Sequence, residues 1–547
     1  MKKILTAIAA VLVCGSLYAQ IDPTVEVSRQ YKVNIADIDR PIVTDHSVAD
    51  SLQKFDVDFD YSIFNRPYTD LYEFSPYQTD SISKVVRRRP PYVMAQVGAQ
   101  LPLSAEAKVK SQLVARPTFN LGLDADSRLT VCKMDYLGEE DALGAVRFNG
   151  GLGASARKAW KTGELIAALD YDNNTYVDTY SEKSLGHHIN ALGVDITLAS
   201  ADPKENSVFY NVDFNYKTVG KNLVSNQVLD TTYNNNRMSL KGTLGSSFDM
   251  HRIYVNMLYQ NSVTGRGDAK MNVGILEFMP VYEYARPRFK LRAGARFGNT
   301  YIESEAASTI HPEMDVKVEV IKNTLWLRGE LSGGNELNSL VDYILDAPWL
   351  CNGILGSISS ASEVIGTRNL VGKISVQSVI AGRFALTPYI SYGSYSNKLQ
   401  LRTFFTQDNL PLLLPEYSDY ANTQIGFESS WKSRNLTVTA NLAHNNPFNQ
   451  EQTQVNMVAE WQAGASLEYN FKRRFFLNAA YSYEGERACW GMTIPDYSNL
   501  TVVLTGVVNR HIAVYIKGDN LFNHQNYRYF AIPELPLNIG GGVRINF

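Results

Sequence analysis

The sequence predicts an all-β fold: a large antiparallel transmembrane β-barrel of about 22 strands, within a range of 18 to 22, with short periplasmic turns and long extracellular loops. Three observations predict it. From about Ala145 onwards, segments of roughly 9 to 16 residues alternate apolar with polar or small residues, the two-residue period of strands rather than the 3.6-residue period of helices. Those lengths suit the about nine to eleven residues of an oblique bilayer crossing better than the about five or six of a soluble sandwich strand. In the later half every second connection is tiny and the intervening ones are long, the asymmetry of an outer-membrane barrel.

Taken in order, the chain opens with Lys2 and Lys3, the apolar run Ile4 to Val13, and Leu17, Tyr18 and Ala19. Residues 1–19 read as a secretory signal cut after Ala19, and export points to the cell outer membrane. Cys14 lies in this segment, but bulky Val13 stands where lipid modification needs a small residue. Residues 20–91 form a short periplasmic N-terminal region of mixed polarity, closing with Arg87, Arg88, Arg89, Pro90 and Pro91, poor material for a central strand. The arginines fit a solvated linker, with anionic head groups or an acidic partner as the alternative.

The barrel is assigned to 92–547. Its strands are expected at 92–102, 117–124, 128–134, 145–158, 163–177, 187–201, 207–220, 237–248, 251–263, 272–284 and 287–299. They continue at 311–321, 324–335, 369–379, 382–396, 420–432, 434–446, 455–470, 473–485, 499–508, 511–519 and 537–547. The last is the clearest, with Leu537, Ile539, Gly541, Val543, Ile545 and Phe547 on one face and Asn538, Gly540, Gly542, Arg544 and Asn546 on the other. Short turns are expected at Asp249–Met250, Ala285–Arg286, Lys322–Asn323 and Asn509–Arg510, and long connections at 300–310, 336–368, 397–419, 486–498 and 520–536. Within 336–368 the apolar stretches Tyr343 to Leu350 and Ile354 to Ile358 suggest a loop that folds into the lumen, contacts another protein or caps the surface.

Composition excludes several classes. Lys plus Arg number 52 and Asp plus Glu 55, a net charge of -3, which offers nucleic acid no concentrated cationic surface. No mature segment has the roughly twenty consecutive apolar residues of a membrane helix. The 32 Tyr and 23 Phe, against 6 Trp, suit membrane interfaces and a lumen wall. After signal removal Cys132, Cys351 and Cys489 remain, an odd number that speaks against a disulfide framework while leaving room for one pair.

Catalytic and metal patterns are absent. His187 and His188 point to opposite strand faces and make a poor chelating pair. His251, His444, His511 and His524 share no ligand spacing, and the chain holds no GxxxxGK or CxxC pattern. Glu139, Glu140 and Asp141 read as a wet surface loop, with cation binding as the minor alternative. We therefore expect no enzyme activity, no catalytic residue, no cofactor and no bound metal. The inward-facing charges Lys290, Arg292, Arg296, Arg328 and Glu330 are candidates for the lumen wall, either lining a water-filled route or, as favoured, bracing the wall in salt-linked networks.

Gly518 and Asp519 lead into Asn520, Leu521, Phe522 and Asn523, Tyr527 follows, and the chain ends in Arg544, Ile545, Asn546 and Phe547. This resembles the carboxyl end of TonB-dependent outer-membrane receptors, where an Asn-Leu-Phe-Asn stretch closes the penultimate strand and the last residue is aromatic. The resemblance implies that Phe547 serves as the signal read by the outer-membrane assembly machinery. The signal ending in Tyr-Ala-Gln and the Tyr-rich barrel look like proteins of Bacteroidota. Only about 70 residues separate Gln20 from Tyr92, fewer than the plug of more than 100 residues that the resemblance implies. A plugless relative is therefore expected, one without a standard element for energy coupling. The leading functional expectation is a scaffold or accessory subunit of an envelope complex, with outer-membrane protein assembly among its roles. The alternative is a passive channel or transporter of the receptor-like class. Expected partners are outer-membrane lipids including lipopolysaccharide, and other envelope proteins.

Overall fold

The computed structural model describes residues 92–134, 143–180, 183–201, 208–225, 231–266, 269–303, 305–350, 365–405, 411–449 and 454–547. The expected signal, the region 20–91, Glu139 to Asp141, Cys351 and Ile354 to Ile358 lie outside the described residues.

A 22-stranded antiparallel sheet closes on itself. It runs through β1 (Val93–Leu101), β2 (Ser104–Arg116), β3 (Phe119–Met134), β4 (Leu143–Trp160), β5 (Gly163–Tyr180), β6 (Lys183–Ser200), β7 (Val208–Ser225), β8 (Thr231–Phe248) and β9 (His251–Arg266). β10 (Ala269–Arg286), β11 (Phe289–Ile302), β12 (Glu305–Ile321) and β13 (Leu325–Leu337) lead to one short helix, α1 (Leu340–Ile344). The wall resumes with β14 (Ile365–Ile380), β15 (Phe384–Phe405), β16 (Pro411–Lys432), β17 (Leu436–Phe448), β18 (Trp461–Phe471) and β19 (Phe475–Glu484). Two small hairpins sit in the last connections: β20 (Arg487–Cys489) with β21 (Met492–Ile494) lies between β19 and β22 (Tyr497–Val507), and β24 (Tyr527–Tyr529) with β25 (Ile532–Pro533) lies between β23 (Ile512–Asp519) and β26 (Asn538–Asn546).

The period-two pattern is realised as two chemically different faces. Leu152, Leu244, Ile374, Ile425 and Ile516 are exposed on the outside, where lipid replaces water and only apolar side chains are cheap. Their strand neighbours, such as Thr243, Lys373, Gln424 and Lys517 with glycines among them, point inward and are polar or small. Closure is needed because an open edge would leave unpaired backbone groups facing lipid. β1 meets β26 in register, with Val97 opposite Val543, and Tyr92 and Phe547 add backbone bonds of 2.8 Å at the ends. The seam is tight. A Cβ on Gly98 would stand 2.3 Å from the Tyr515 hydroxyl, which passes over it to donate to Glu106. Arg544 donates to Gln96 Oε1 at 2.9 and 3.1 Å across the same seam.

The expected strand number agrees with the observed one through two compensating errors. β2 is missing from the expected set, and β3 is divided in it at 125–127. In β2 the outer face carries only Ala105, Ala107, Val109 and Ser111 before Leu113, too small to stand out against Glu106, Lys108 and Lys110. Three of the expected connections are corrected as well. β11 and β12 leave only 303–304 between them, and β15 and β16 continue well past the expected 397–419 boundary, to Phe405 and from Pro411. The turn expected at Ala285–Arg286 falls at 287–288. Connections at the end that carries Tyr92 and Phe547 include 117–118, 161–162, 249–250 and 381–383, while β13, β17, β19 and β23 run out at the opposite end, called here the loop end.

Candidate functional site

At the loop end the chain after β13 turns inward. α1 buries Leu340, Val341 and Ile344 against Ile189 and Ala191 of β6 and Val219 of β7. Leu, Val and Ile at positions one, two and five place three apolar side chains on about one side of a single turn, and Asp342 is left to pair with Arg237 of β8. Asn338 donates to the Asn397 carbonyl at 3.0 Å, and the Ser339 and Ser262 hydroxyls meet at 3.1 Å. The Tyr343 hydroxyl is pushed above its ordinary pKa by burial, with Glu336 and Asp342 adding to the effect, so the phenol stays neutral beside the apolar cluster.

Beyond α1, Trp349 is the anchor. Its ring lies 5.2 Å from the Arg147 guanidinium and 5.9 Å from the Tyr176 ring, and its Nε1 donates to Asp178 at 2.9 Å. Asp178 is itself ion-paired with Arg147, and both are buried. Lys221 of β7, 1% exposed, donates to the carbonyls of Pro348 and Leu350. A buried ammonium needs such partners, because its desolvation is otherwise prohibitive. Leu350 then forms a parallel bridge with Leu413.

The long hairpin β15–β16 completes a cap over the mouth. Leu399, Leu401 and Leu413 join the α1 cluster, and Leu412 reaches Cys132, Met134, Ala145 and Leu185 on β3, β4 and β6. Those strands belong to the opposite side of the barrel, so the hairpin bridges the opening. Thr403 donates to the Phe530 carbonyl, and Gln400 to that of Asn456, both at 2.8 Å. A further cluster of Cys489, Ile494 and Tyr527 with Met457, Trp490 and Phe530 ties the small hairpins to one another. Cys132 and Cys489 are free thiols.

Below the cap the wall is polar. Lys290 pairs with Glu283 at 3.3 Å and Arg292 with Glu313 at 3.6 Å. Arg296 holds both Glu277 and Glu313, at 3.2 and 3.3 Å. Arg328 grips Asp315 with two bonds of 2.8 Å and reaches Glu330 at 2.9 Å. The structure thus brings all five candidate charges onto one stretch of inner wall, with Glu277, Glu283, Glu313 and Asp315 as partners that the sequence reading did not name. Two cavities open into the lumen on either side of α1. One of about 570 Å³ touches Arg296, Arg368, Lys241 and Tyr395. The other, about 330 Å³, faces Asp124, Asp126, Asp170, Asp172 and Asp195 with Lys217 and Arg237.

The C-terminal motif is a built turn. Asn520 and Asn523 both adopt φ of +50°, a left-handed conformation that Asn tolerates better than most residues. Asn520 Nδ2 donates to the His524 carbonyl at 2.8 Å, and its Oδ1 accepts from the His524 amide at 3.1 Å. Asn523 Oδ1 accepts from the Leu537 amide, which sets the start of the last strand. A Cβ on Gly518 would lie 2.5 Å from Leu521. Phe522 is exposed with its ring edge-on to Tyr481, and Phe547 is exposed at the seam. Of the histidines, His187 is buried beside Trp349, His188 meets Thr175, and His444 stacks on Trp461. Among the described residues no three His, Cys, Asp or Glu side chains are grouped to hold a metal ion.

The closed barrel of 22 antiparallel strands is a fold that solved transporter and receptor barrels share. Solved structures similar to it include the FrpB iron transporter from Neisseria meningitidis, with a TM-score of 0.64 at 9% identity over 84% of this chain and 82% of that one. The copper transporter OprC gives 0.61 at 11% identity over 84% of each chain. The ferric yersiniabactin uptake receptor FyuA from Yersinia pestis gives 0.62 at 11% identity over 84% and 81%. The sequence matches no protein-family model and no curated protein. The expectation of a scaffold or assembly subunit is overturned by two findings. The barrels that share this fold are described as transporters and uptake receptors. The apolar residues from Tyr343 to Leu350 that suggested a docking face are spent inside the cap.

Proposed function

We propose that the protein is a non-enzymatic outer-membrane transporter, a channel or receptor-like barrel whose loop end is shut in the state described and opens for a solute to pass. The observation that carries this reading is the pairing of a polar, cavity-bearing lumen with a cap made of the 338–350 segment, which is not wall, seated under the outer ends of β15 and β16. A wall must hold the lipid seal at all times, but a cap held by its own cluster and a few polar anchors can detach while the 22 strands stay closed. The transporters of similar fold support the same reading. The secretory-type segment before Gln20 and the exposed apolar outer face support an outer-membrane location in contact with lipid and lipopolysaccharide. The Asn520 to Asn523 turn supports kinship with TonB-dependent receptors, and the Tyr-rich composition supports an origin in Bacteroidota.

Reconstitution into liposomes tests the transport reading. Sugar-sized solutes should cross slowly with the native chain and faster when the cap is loosened at Trp349. Impermeability of both the native chain and the cap-loosened variant would refute it.

A further inference from the structure

The larger cavity differs from its acidic neighbour in charge and in shape. Arg368, Tyr395 and Tyr420 stand side by side in register across β14, β15 and β16, with Gly334 of β13 next in the row. The two phenol rings are 5.3 Å apart and inclined by 35°. Gly334 has a φ of +153°, and a Cβ there would stand 2.9 Å from Arg296 Nη1. The glycine is what admits the Arg296 guanidinium to the row, so two guanidinium groups lead onto a pair of tyrosine faces. Lys241 of β8 supplies another cation to the same space.

The carboxylates on this lining are already engaged. Lys398 holds Glu336 at 2.8 Å, and Arg237 holds Asp342. Asp213 stands opposite Lys241 in register, but its oxygens accept from Thr197 and Asn211, each at 2.7 Å. Among the described residues no carboxylate lies within ion-pair distance of Lys241 or Arg368. The Nε atoms of Arg296 and Arg368 are also buried without a hydrogen-bond acceptor among them. Buried donors without acceptors are uncommon in native proteins, and each calls for a partner. A guanidinium fork matches a planar carboxylate, and a tyrosine face takes the apolar side of a ring. A volume of about 570 Å³ lies within the range of small-molecule sites.

We propose that this cavity binds a cyclic carboxylate about the size of a hexuronate, its acid group on Arg368 and Lys241 and its ring against Tyr395 and Tyr420. The inference rests on the transport reading for its purpose, but the binding can be measured without it. Equilibrium dialysis of the folded barrel in detergent would use radiolabelled glucuronate, glucose and glucosamine, which share one ring and differ in charge. Glucuronate should bind at least tenfold tighter than glucose, and glucosamine more weakly than either. The double variant Arg368→Gln, Lys241→Gln should bring glucuronate down to the level of glucose, Arg368→Lys should fall between, and Tyr395→Leu should weaken glucuronate and glucose together. Asp126→Asn with Asp172→Asn, in the other cavity, should leave glucuronate binding unchanged. Folding of each variant is checked by the heat-sensitive gel mobility of an intact barrel, and raised salt, which screens the native site without any substitution, should weaken glucuronate but not glucose. Equal binding of glucuronate and glucose, or full glucuronate binding by a folded Arg368→Gln, Lys241→Gln variant, overturns the proposal. Selective binding without liposome flux would refute transport and leave the site standing, whereas flux without selective binding would do the reverse.

Discussion

Truncating Trp349 to Ala gives the sharpest test of the cap. The side chain is 9% exposed, donates to Asp178 at 2.9 Å and lies 5.2 Å from the Arg147 guanidinium. Burial of about 200 Å² of ring at about 25 cal/mol per Å² gives about 5 kcal/mol as an upper figure, and core Trp→Ala changes cost about 3–5 kcal/mol. Asp178 keeps its ion pair with Arg147, so no buried charge is left alone and the cost falls on the cap rather than the wall. A loss of about 4 kcal/mol shifts the closed-to-open balance of the segment by about a thousandfold, since each 1.4 kcal/mol is about tenfold. Hydrogen exchange should show amides of 339–350 exchanging two to three orders of magnitude faster, with β4 and β5 protected as before. Trp349→Phe keeps a ring but loses the N–H donor, about 1–2 kcal/mol, and should give about a tenfold effect. Sugar-sized solutes should cross liposomes faster with Trp349→Ala. Unchanged exchange would refute the anchor, and faster exchange with unchanged flux would show that this segment is not the barrier.

Lys221→Met strips two buried carbonyls, at Pro348 and Leu350, of a charged donor. At about 1.5–3 kcal/mol per such bond, exchange at 349–350 should rise at least tenfold, and a smaller change would mean that the ammonium is dispensable. Cysteines introduced at Leu350 and Leu413, which form a bridge, should crosslink under oxidation in a chain freed of native cysteines and stop flux, with reductant restoring it. Flux through the crosslinked barrel would place the route elsewhere. Gly334→Ala combines a φ of +153° with a 2.9 Å approach to Arg296, and should lower stability by about 1–3 kcal/mol, read as a reduced denaturant midpoint. An unaltered midpoint would show that Arg296 has room to withdraw.

The wall was legible because lipid on one side and water on the other impose opposite demands on successive residues. β26 is the clearest case, with Ile539, Val543 and Ile545 outside and Asn538 and Arg544 inside. Where the outer residues are small the contrast fades. Ala105 and Ala107 hide β2, and Ala125 and Ser127 break the apolar face of β3 beside Asp124 and Asp126, which resemble a turn in sequence. Loop length was overestimated for a related reason, since strands that outrun the bilayer no longer need an apolar face. In β15 the alternation visible around Ile390 changes beyond Tyr395, where Leu399 and Leu401 turn inward to the cap.

The cap was legible as material but not as a destination. Tyr343 to Leu350 are apolar enough to seek cover, yet nothing local says whether the cover is a partner protein or the barrel itself. Trp349 finds Asp178 across 171 positions, and Lys221 reaches Leu350 across 129. Such contacts depend on which strand faces which, a property of closure and register that period-two reading does not carry. The ion pairs have the same origin. Arg292 stands opposite Glu283 and Asp315 in register, but its 3.6 Å partner is the diagonal Glu313. An apolar loop at a barrel mouth can hide against another protein or against its own lumen, and only the second choice leaves buried polar anchors pointing inward. Arg147, Asp178 and Lys221 are such anchors. A buried ammonium on the wall is costly unless the cap is in place to receive it, so these wall residues make sense for a barrel that spends much of its time closed and not for one that offers the loop to a partner.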